Sequence, residues 1–345
     1  MSSKIRVGVI GVGSIGKNHA RVVSEIAEAD FTAIYDSNRA AAEEMAKRFN
    51  TRAVDSLEEF ASLVDAASVA TPTPFHHEVG MFLLERGKHV LIEKPIAETT
   101  DQAKELADLA SSKGLVLQVG HIERFNPVLG ALEGLLTSPR FIESHRLSPY
   151  PNRSTEIGVV LDLMIHDLEI ILHLVRSPVK SVDAVGVPVL SRGEDIANAR
   201  IRFENGCVAN LTVSRISPEK MRKIRVFQEN AYLSLDYQAQ EGYIFRLANS
   251  GEEKSSMLKM LLSAKDSAIV SEFAGRKILR EPVQIEKGEP LKRELQSFIE
   301  CCHKGAAPKV SGYQATAALD LAIQITRQIE QSGGVGAKGQ VESLA

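Results

Sequence analysis

Gly11-Val12-Gly13-Ser14-Ile15-Gly16 sets three glycines at the spacing that cradles a pyrophosphate. Such a match means little alone. It gains meaning when a strand precedes it, a helix follows, and an acidic residue closes the next strand. All three hold here: Ile5 to Ile10 is largely apolar, helical spacing begins at Lys17, and Phe31 to Tyr35 runs into Asp36. Gly11 permits the tight turn, Gly13 leaves room for the phosphates, and Gly16 lets helix and strand approach. The helix N-terminus, entered through Ser14 and Ile15, offers N–H groups and a partial positive charge. Asp36 suits the hydroxyls of an adenosine ribose, and its charge would repel a 2′-phosphate, so NAD is favoured over NADP. Arg39 stands close enough to soften that preference.

Two further groups suit proton and oxygen chemistry. Glu93-Lys94-Pro95 ends a strand, and ligands of open parallel sheets sit beyond the carboxyl ends of strands. Lys94 can therefore reach a substrate oxygen; the alternative is a surface lysine ahead of a helix. Asp162 and His166 stand four residues apart in an apolar helical stretch and share one face, with His173 near it. Polar groups in such a helix are costly unless paired. A paired histidine carries protons near neutral pH. A buried pair that locks the core is an equal reading, and a metal held by Asp162, His166 and His173 is a third, without other ligand signature.

These residues need elements to hold them. The first 120 or so residues alternate strand and helix patterns, as parallel α/β domains do. Helices are expected at Lys17–Ala29, Arg39–Phe49, Phe75–Arg86 and Thr100–Lys113, and strands at Phe31–Tyr35, Ala66–Ala70, His89–Ile92 and Leu115–Val119. From about Arg140 to Glu286 alternating segments dominate, with a hairpin signal at Asn205-Gly206. This predicts a mostly antiparallel sheet with one long helix, Gly158 to Val175, laid on it. Ser255 to Phe273 reads as a helical or partly mobile insertion. A last helix covers Gln314 to Gln331, and a frayed tail follows.

The chain has 345 residues, 44% apolar and 25% charged, with a net charge of -3. That length suggests about two domains. The near-neutral charge, 5% aromatics and absence of Trp argue against nucleic acid as a partner. Cys207, Cys301 and Cys302 form neither a disulfide framework nor a zinc set. No leader pattern opens the sequence, and its most apolar stretch, Val159 to Val175, is broken by Asp162, His166, Asp167, Glu169 and His173. No membrane span and a cytoplasmic setting are expected.

The chain resembles the Gfo/Idh/MocA oxidoreductase family. The resemblance rests on Gly11-x-Gly13-x-x-Gly16, Ala70-Thr71-Pro72, Glu93-Lys94-Pro95, Gly120-His121-Ile122-Glu123-Arg124-Phe125-Asn126-Pro127 and Asp162-x-x-x-His166-Asp167, in the family's order and spanning nearly the whole chain. It implies a Rossmann domain (1–120), then an α/β substrate and oligomerisation domain with a large open sheet (121–311), whose exposed face would make a homodimer or homotetramer. The helix at 312–332 would pack back on the first domain, and 333–345 would be tail. By the same resemblance NAD would lie against Gly11, Gly13, Ser14, Ile15, Gly16, Asp36, Thr71, Pro72, His76, Glu93 and Lys94. Lys94 would polarise the reacting oxygen, His166 would take the hydroxyl proton, and Asp162 would orient His166.

The segment from Gly120 to Pro127, and Ser154-Thr155-Glu156 through the Asp162 helix, are similar to those of members acting on UDP-activated N-acetyl sugars, some near lipid A biosynthesis. There carbon 3 is oxidised and an aminotransferase often follows. Substrate contacts are then expected from Lys94, His121, Glu123, Arg124, Phe125, Asn126, Arg153, Asp162 and His166, with Arg124, Arg146, Arg153 and His145 as candidates for a diphosphate. The rivals are a free sugar or polyol such as myo-inositol, and a non-catalytic dinucleotide-binding regulator on the same fold.

Overall fold

The computed structural model describes residues 4–150, 157–248, 268–273 and 276–332. Arg153, the 154–156 segment, most of the expected insertion and the tail lie outside them. The chain forms two compact units. One comprises Met1–Phe125 with Gly288–Asp320, the other Asn126–Lys287 with Leu321–Ala345.

The first unit opens with β1 (Ile5–Ile10), α1 (Gly16–Glu25), β2 (Ala29–Tyr35), α2 (Arg39–Phe49), β3 (Arg52–Ala53), α3 (Leu57–Leu63), β4 (Ala66–Val69), α4 (His76–Glu85), β5 (His89–Glu93), α5 (Thr100–Ser112) and β6 (Leu117–Gly120). Side chains write most helix starts: Asn38 and Ser56 accept the capping N–H groups of α2 and α3, and Thr99 with Gln102 forms a capping box at α5. α1 stops four residues short of the expected Ala29. Its chain turns extended at Ile26, so β2 begins early enough to pair Ala29 with Ile5. The six strands lie parallel in the order β3-β2-β1-β4-β5-β6. This is the doubly wound order in which ligands bind beyond the strands' carboxyl ends.

The second unit follows with α6 (Pro127–Leu135), β7 (Pro139–Leu147), α7 (Ile165–Val175), β8 (Val179–Val187), β9 (Ile196–Phe203), β10 (Val208–Ser214), β11 (Met221–Gln228), β12 (Ala231–Asp236), β13 (Glu241–Leu247), β14 (Ala268–Phe273) and β15 (Arg276–Pro282). Its nine strands run β14-β15-β13-β12-β11-β7-β10-β9-β8, antiparallel except where β7 meets β10. The Asn205-Gly206 turn joins β9 to β10 as expected, with Gly206 at φ +85°. Part of the expected insertion is instead β14, paired to β15.

Alternation sorts the sheet's two faces. Ile142, Val226 and Leu233 are buried on the side met by α6 and α7. On the other face Phe141, Phe227, Tyr232 and Phe245 form one cross-strand row with centroid spacings of 5.8, 5.0 and 4.3 Å.

The chain then returns to the first unit through α8 (Pro290–Lys304). Leu291, Leu295, Phe298 and Ile299 of α8 enter the core of Val7, Val9, Val22, Val23 and Leu91. This apolar stripe is why residues 288–311 belong with the first unit rather than with the second domain expected from the sequence. The last helix, α9 (Gly312–Gln331), begins on that unit, where Tyr313 donates to Asp108 at 2.8 Å. Its later half belongs to the second unit, where the Gln328 amide donates to the Val182 carbonyl at 3.2 Å. Among the described residues no helix is long and apolar enough to cross a membrane.

Candidate active site

The glycine turn is shaped by its contacts. Gly11 has φ +82°, in the left-handed region. A Cβ on Gly16 would sit 1.8 Å from the Gly11 carbonyl oxygen, whereas one on Gly13 would meet open space. Asp36 is held by the backbone N–H groups of Val12 at 2.7 Å and Asn38 at 2.8 Å, one on each carboxylate oxygen. Arg39 pairs with Glu43 at 2.8 Å and Asp55 at 2.7 Å. The Thr71 hydroxyl is buried with no hydrogen-bond partner among the described residues. A pyrophosphate over Gly13, ribose hydroxyls on Asp36 and an acceptor for Thr71 fit this end of the sheet. His76 is buried, with Nδ1 2.8 Å from the Pro95 carbonyl and Nε2 2.8 Å from the Thr71 carbonyl. Both ring nitrogens thus face carbonyl acceptors, of which a neutral ring, with its one N–H, bonds one. Burial holds its pKa below the ordinary value despite those two acceptors.

Beneath Lys94 lies a buried polar cluster absent from the sequence reading. His19 of α1 stands 2.7 Å from the Ser68 hydroxyl through Nδ1 and 3.0 Å from Glu93 Oε1 through Nε2. An ionised carboxylate only accepts, so Nε2 donates to Glu93. The other Glu93 oxygen accepts the Lys94 backbone N–H at 3.2 Å. Gly120 makes room, since a Cβ there would lie 2.9 Å from that carboxylate. Burial works to raise the Glu93 pKa, but the bond to His19 and the charge of Lys94 bring it below the usual value. Glu294 of α8 is also buried, and neither of its carboxyl oxygens has a hydrogen-bond partner among the described residues. Burial and the charge of Glu93 push its pKa well above the ordinary carboxyl. His121 is lowered to about 3 by burial and by Lys94, so its ring is neutral.

The His121–Asn126 segment is buried rather than displayed. His121, Glu123, Arg124 and Asn126 are each at most 4% exposed, and Phe125 is 6% exposed. Arg124 donates to the Lys309 carbonyl at 3.4 Å. Asn126 caps α6 through the Val128 N–H at 3.2 Å and donates to the Tyr237 carbonyl at 3.1 Å.

In the second unit, the expected single helix from Gly158 to Val175 is a π-turn, Val160–Met164, running into α7. Asp162 lies in the turn and His166 in the first turn of α7; both are half-buried, while Asp167 and Glu169 are buried. Such insertions recur at functional sites. Residues distant in sequence pin the turn. Glu194 accepts the Val160 N–H at 3.1 Å. Asp195 accepts three backbone N–H groups and the Arg215 guanidinium at 2.7 Å, and Arg215 donates to the Ile157 carbonyl at 2.7 Å. Arg146, a candidate for a diphosphate, instead grips Asp167 with two bonds at 2.8 and 3.1 Å. His173 pairs with Glu133 at 3.0 Å. Among the described residues no three His, Cys, Asp or Glu side chains gather as metal ligands.

The fold and glycine turn define a dinucleotide-binding oxidoreductase, and comparison with known proteins gives the family. Residues 5–121 match the oxidoreductase family model with an NAD-binding Rossmann fold, and residues 133–234 match the GFO/IDH/MocA C-terminal domain. The chain belongs to the Gfo/Idh/MocA oxidoreductase family and binds NAD through its Rossmann unit. Among its relatives, UDP-N-acetylglucosamine 3-dehydrogenase of Acidithiobacillus ferrooxidans is 38% identical over 234 residues, 68% of this chain and 74% of that protein. A solved structure of that organism's UDP-N-acetylglucosamine 3-dehydrogenase GnnA superposes with a TM-score of 0.86 at 32% identity, covering 95% of this chain and 98% of the other. The NAD-dependent scyllo-inositol 2-dehydrogenase of Bacillus subtilis is 25% identical, with 94% of each chain covered.

Proposed function

We propose that this enzyme oxidises a hydroxyl of a nucleotide-activated sugar, at carbon 3 of UDP-N-acetylglucosamine. The observation that carries the reading is the similarity to the Acidithiobacillus 3-dehydrogenase, at 38% identity in sequence and a TM-score of 0.86 in fold. NAD, when bound, accepts hydride from the carbinol carbon. Gly11, Gly13, Ser14, Ile15, Gly16, Asp36, Thr71 and Pro72 would hold it, with His76, Glu93 and Lys94 bordering it. Lys94 donates to the reacting oxygen and stabilises developing alkoxide. His166 takes the hydroxyl proton, and Asp162 orients that imidazole.

A free polyol is the second reading, favoured by the inositol dehydrogenase that aligns over 94% of the chain. Two associations complete the proposal. An aminotransferase consumes the 3-keto product in the cytoplasm, and the aromatic row on the sheet face opposite α6 and α7 supports a homodimer or homotetramer.

The test is NADH formation from NAD and UDP-N-acetylglucosamine, with an aminotransferase and glutamate removing product. Signal above the sugar-free control supports the nucleotide-sugar reading. Signal with myo-inositol alone replaces it, and silence with both favours the regulator. Lys94→Ala and His166→Ala should each lower kcat by about 100-fold or more; near-normal turnover in either removes that residue from the mechanism.

A further inference from the structure

Two buried imidazoles bracket the backbone at Lys94, and the chemistry assigned to Lys94 uses neither. On one side, Ser68, His19 and Glu93 form a continuous line with contacts of 2.7 and 3.0 Å, and Glu93 then takes the Lys94 N–H at 3.2 Å. On the other side, His76 lies 2.8 Å from the carbonyl of Pro95, the residue after Lys94, and 2.8 Å from that of Thr71. His19 and His76 come from different helices, α1 and α4, and both are essentially without solvent exposure.

Burying an imidazole is costly unless its N–H finds an acceptor; His19 gives one to Glu93, and the His76 ring lies between the carbonyls of Pro95 on the Lys94 turn and Thr71 at the exit of β4. A carboxylate beside its own strand's end would otherwise swing. Gly120 leaves it just enough room, and His19 fixes which oxygen faces Lys94.

We propose that His19 and His76 are positioning residues for Lys94: each clamps one side of the Glu93-Lys94-Pro95 turn and so sets the direction in which the lysine side chain leaves β5. The proposal rests on the reading of Lys94 as the group that meets the reacting oxygen. It adds that the aim of Lys94 is set by hydrogen bonds from α1 and α4, not by strand geometry alone. A misaimed catalytic group loses turnover while ground-state binding persists, by about 100-fold for an error of about 1 Å.

The experiment uses the full chain carrying isotope-labelled methyl groups on its lysines, with the Lys94 resonance assigned by its loss in Lys94→Arg. His19→Ala and His76→Ala should shift or broaden that resonance. His19→Gln keeps an N–H donor toward Glu93 and should restore it. Ser68→Ala removes only a hydroxyl, and should produce a smaller shift of the same sign if His19→Ala does not fold.

In turnover of UDP-N-acetylglucosamine or myo-inositol, whichever the wild type oxidises, His19→Ala should lose kcat with KM for NAD held within about twofold. An unmoved Lys94 resonance in folded His19→Ala and His76→Ala, or in Ser68→Ala, overturns the proposal. Near-normal turnover in Lys94→Ala overturns the catalytic reading instead, and the resonance still decides whether the clamp exists.

Discussion

A methyl group added at Gly13 meets open space, whereas one added at Gly16 sits 1.8 Å from a carbonyl oxygen. The two glycines of one motif therefore fail differently. Gly13→Ala should melt within a degree or two of the wild type yet bind NAD at least about tenfold more weakly, because its methyl enters the phosphate space. Gly16→Ala should be destabilised by about 1–3 kcal/mol, as overpacking usually costs; calorimetry and NAD titration of both separate these effects. Glu294 makes a pH-dependent prediction. Its folded pKa is raised, so the stability it allows is full below the ordinary carboxyl pKa and is lost as pH rises toward the raised value. Glu294→Gln should thus stabilise more at pH values well above the carboxyl range than near it, and an equal gain in urea midpoint at both would refute the assignment. The strand ends that carry Asp36 and Lys94 were legible because their patterns are local. His19 was not, because its partners lie 49 and 74 positions away and no spacing announces them.

Among the elements, α7 and its π-turn show what periodicity reads and what it misses. The four-residue spacing of Asp162 and His166 predicted a shared helix face, but a regular helix would not contain the insertion that the structure has there. Its cause is tertiary: Glu194 and Arg215 hold the backbone at Val160 and Ile157, and neither residue carries a motif. The next residue, Asp167, is fixed to β7 by Arg146, both fully enclosed. Arg146→Ala leaves a carboxylate buried without its partner and should cost about 3–5 kcal/mol. Arg146→Met with Asp167→Leu, which removes both charges, should recover most of that loss in urea unfolding. If the single variant is as stable as the wild type, the pair does not anchor α7. Hairpin chemistry was the most readable element feature, since Asn205-Gly206 needs only its own left-handed glycine.

At the scale of the whole molecule, the nine-stranded sheet carries the aromatic row Phe141–Phe227–Tyr232–Phe245 away from its helices. The homo-oligomer proposed on this face predicts that Tyr232→Glu, which puts a charge between two stacked rings, gives a monomer by light scattering with NAD affinity unchanged; an unaltered mass overturns that proposal. The order of motifs made both the Rossmann unit and the large sheet legible. What the sequence concealed was the return of α8, whose Leu295 and Phe298 complete the first core from about 175 residues beyond β6. That return has a consequence for biosynthesis. Chains emerge N-terminus first, and units fold as they are completed. The dinucleotide unit starts first yet waits for its core: its strands leave the ribosome while α8 is still untranslated. The second unit's sheet is by then already synthesised through β15. The nascent chain thus leaves the apolar faces of α1 and β1 that α8 covers without their cover until Leu295 and Phe298 are made.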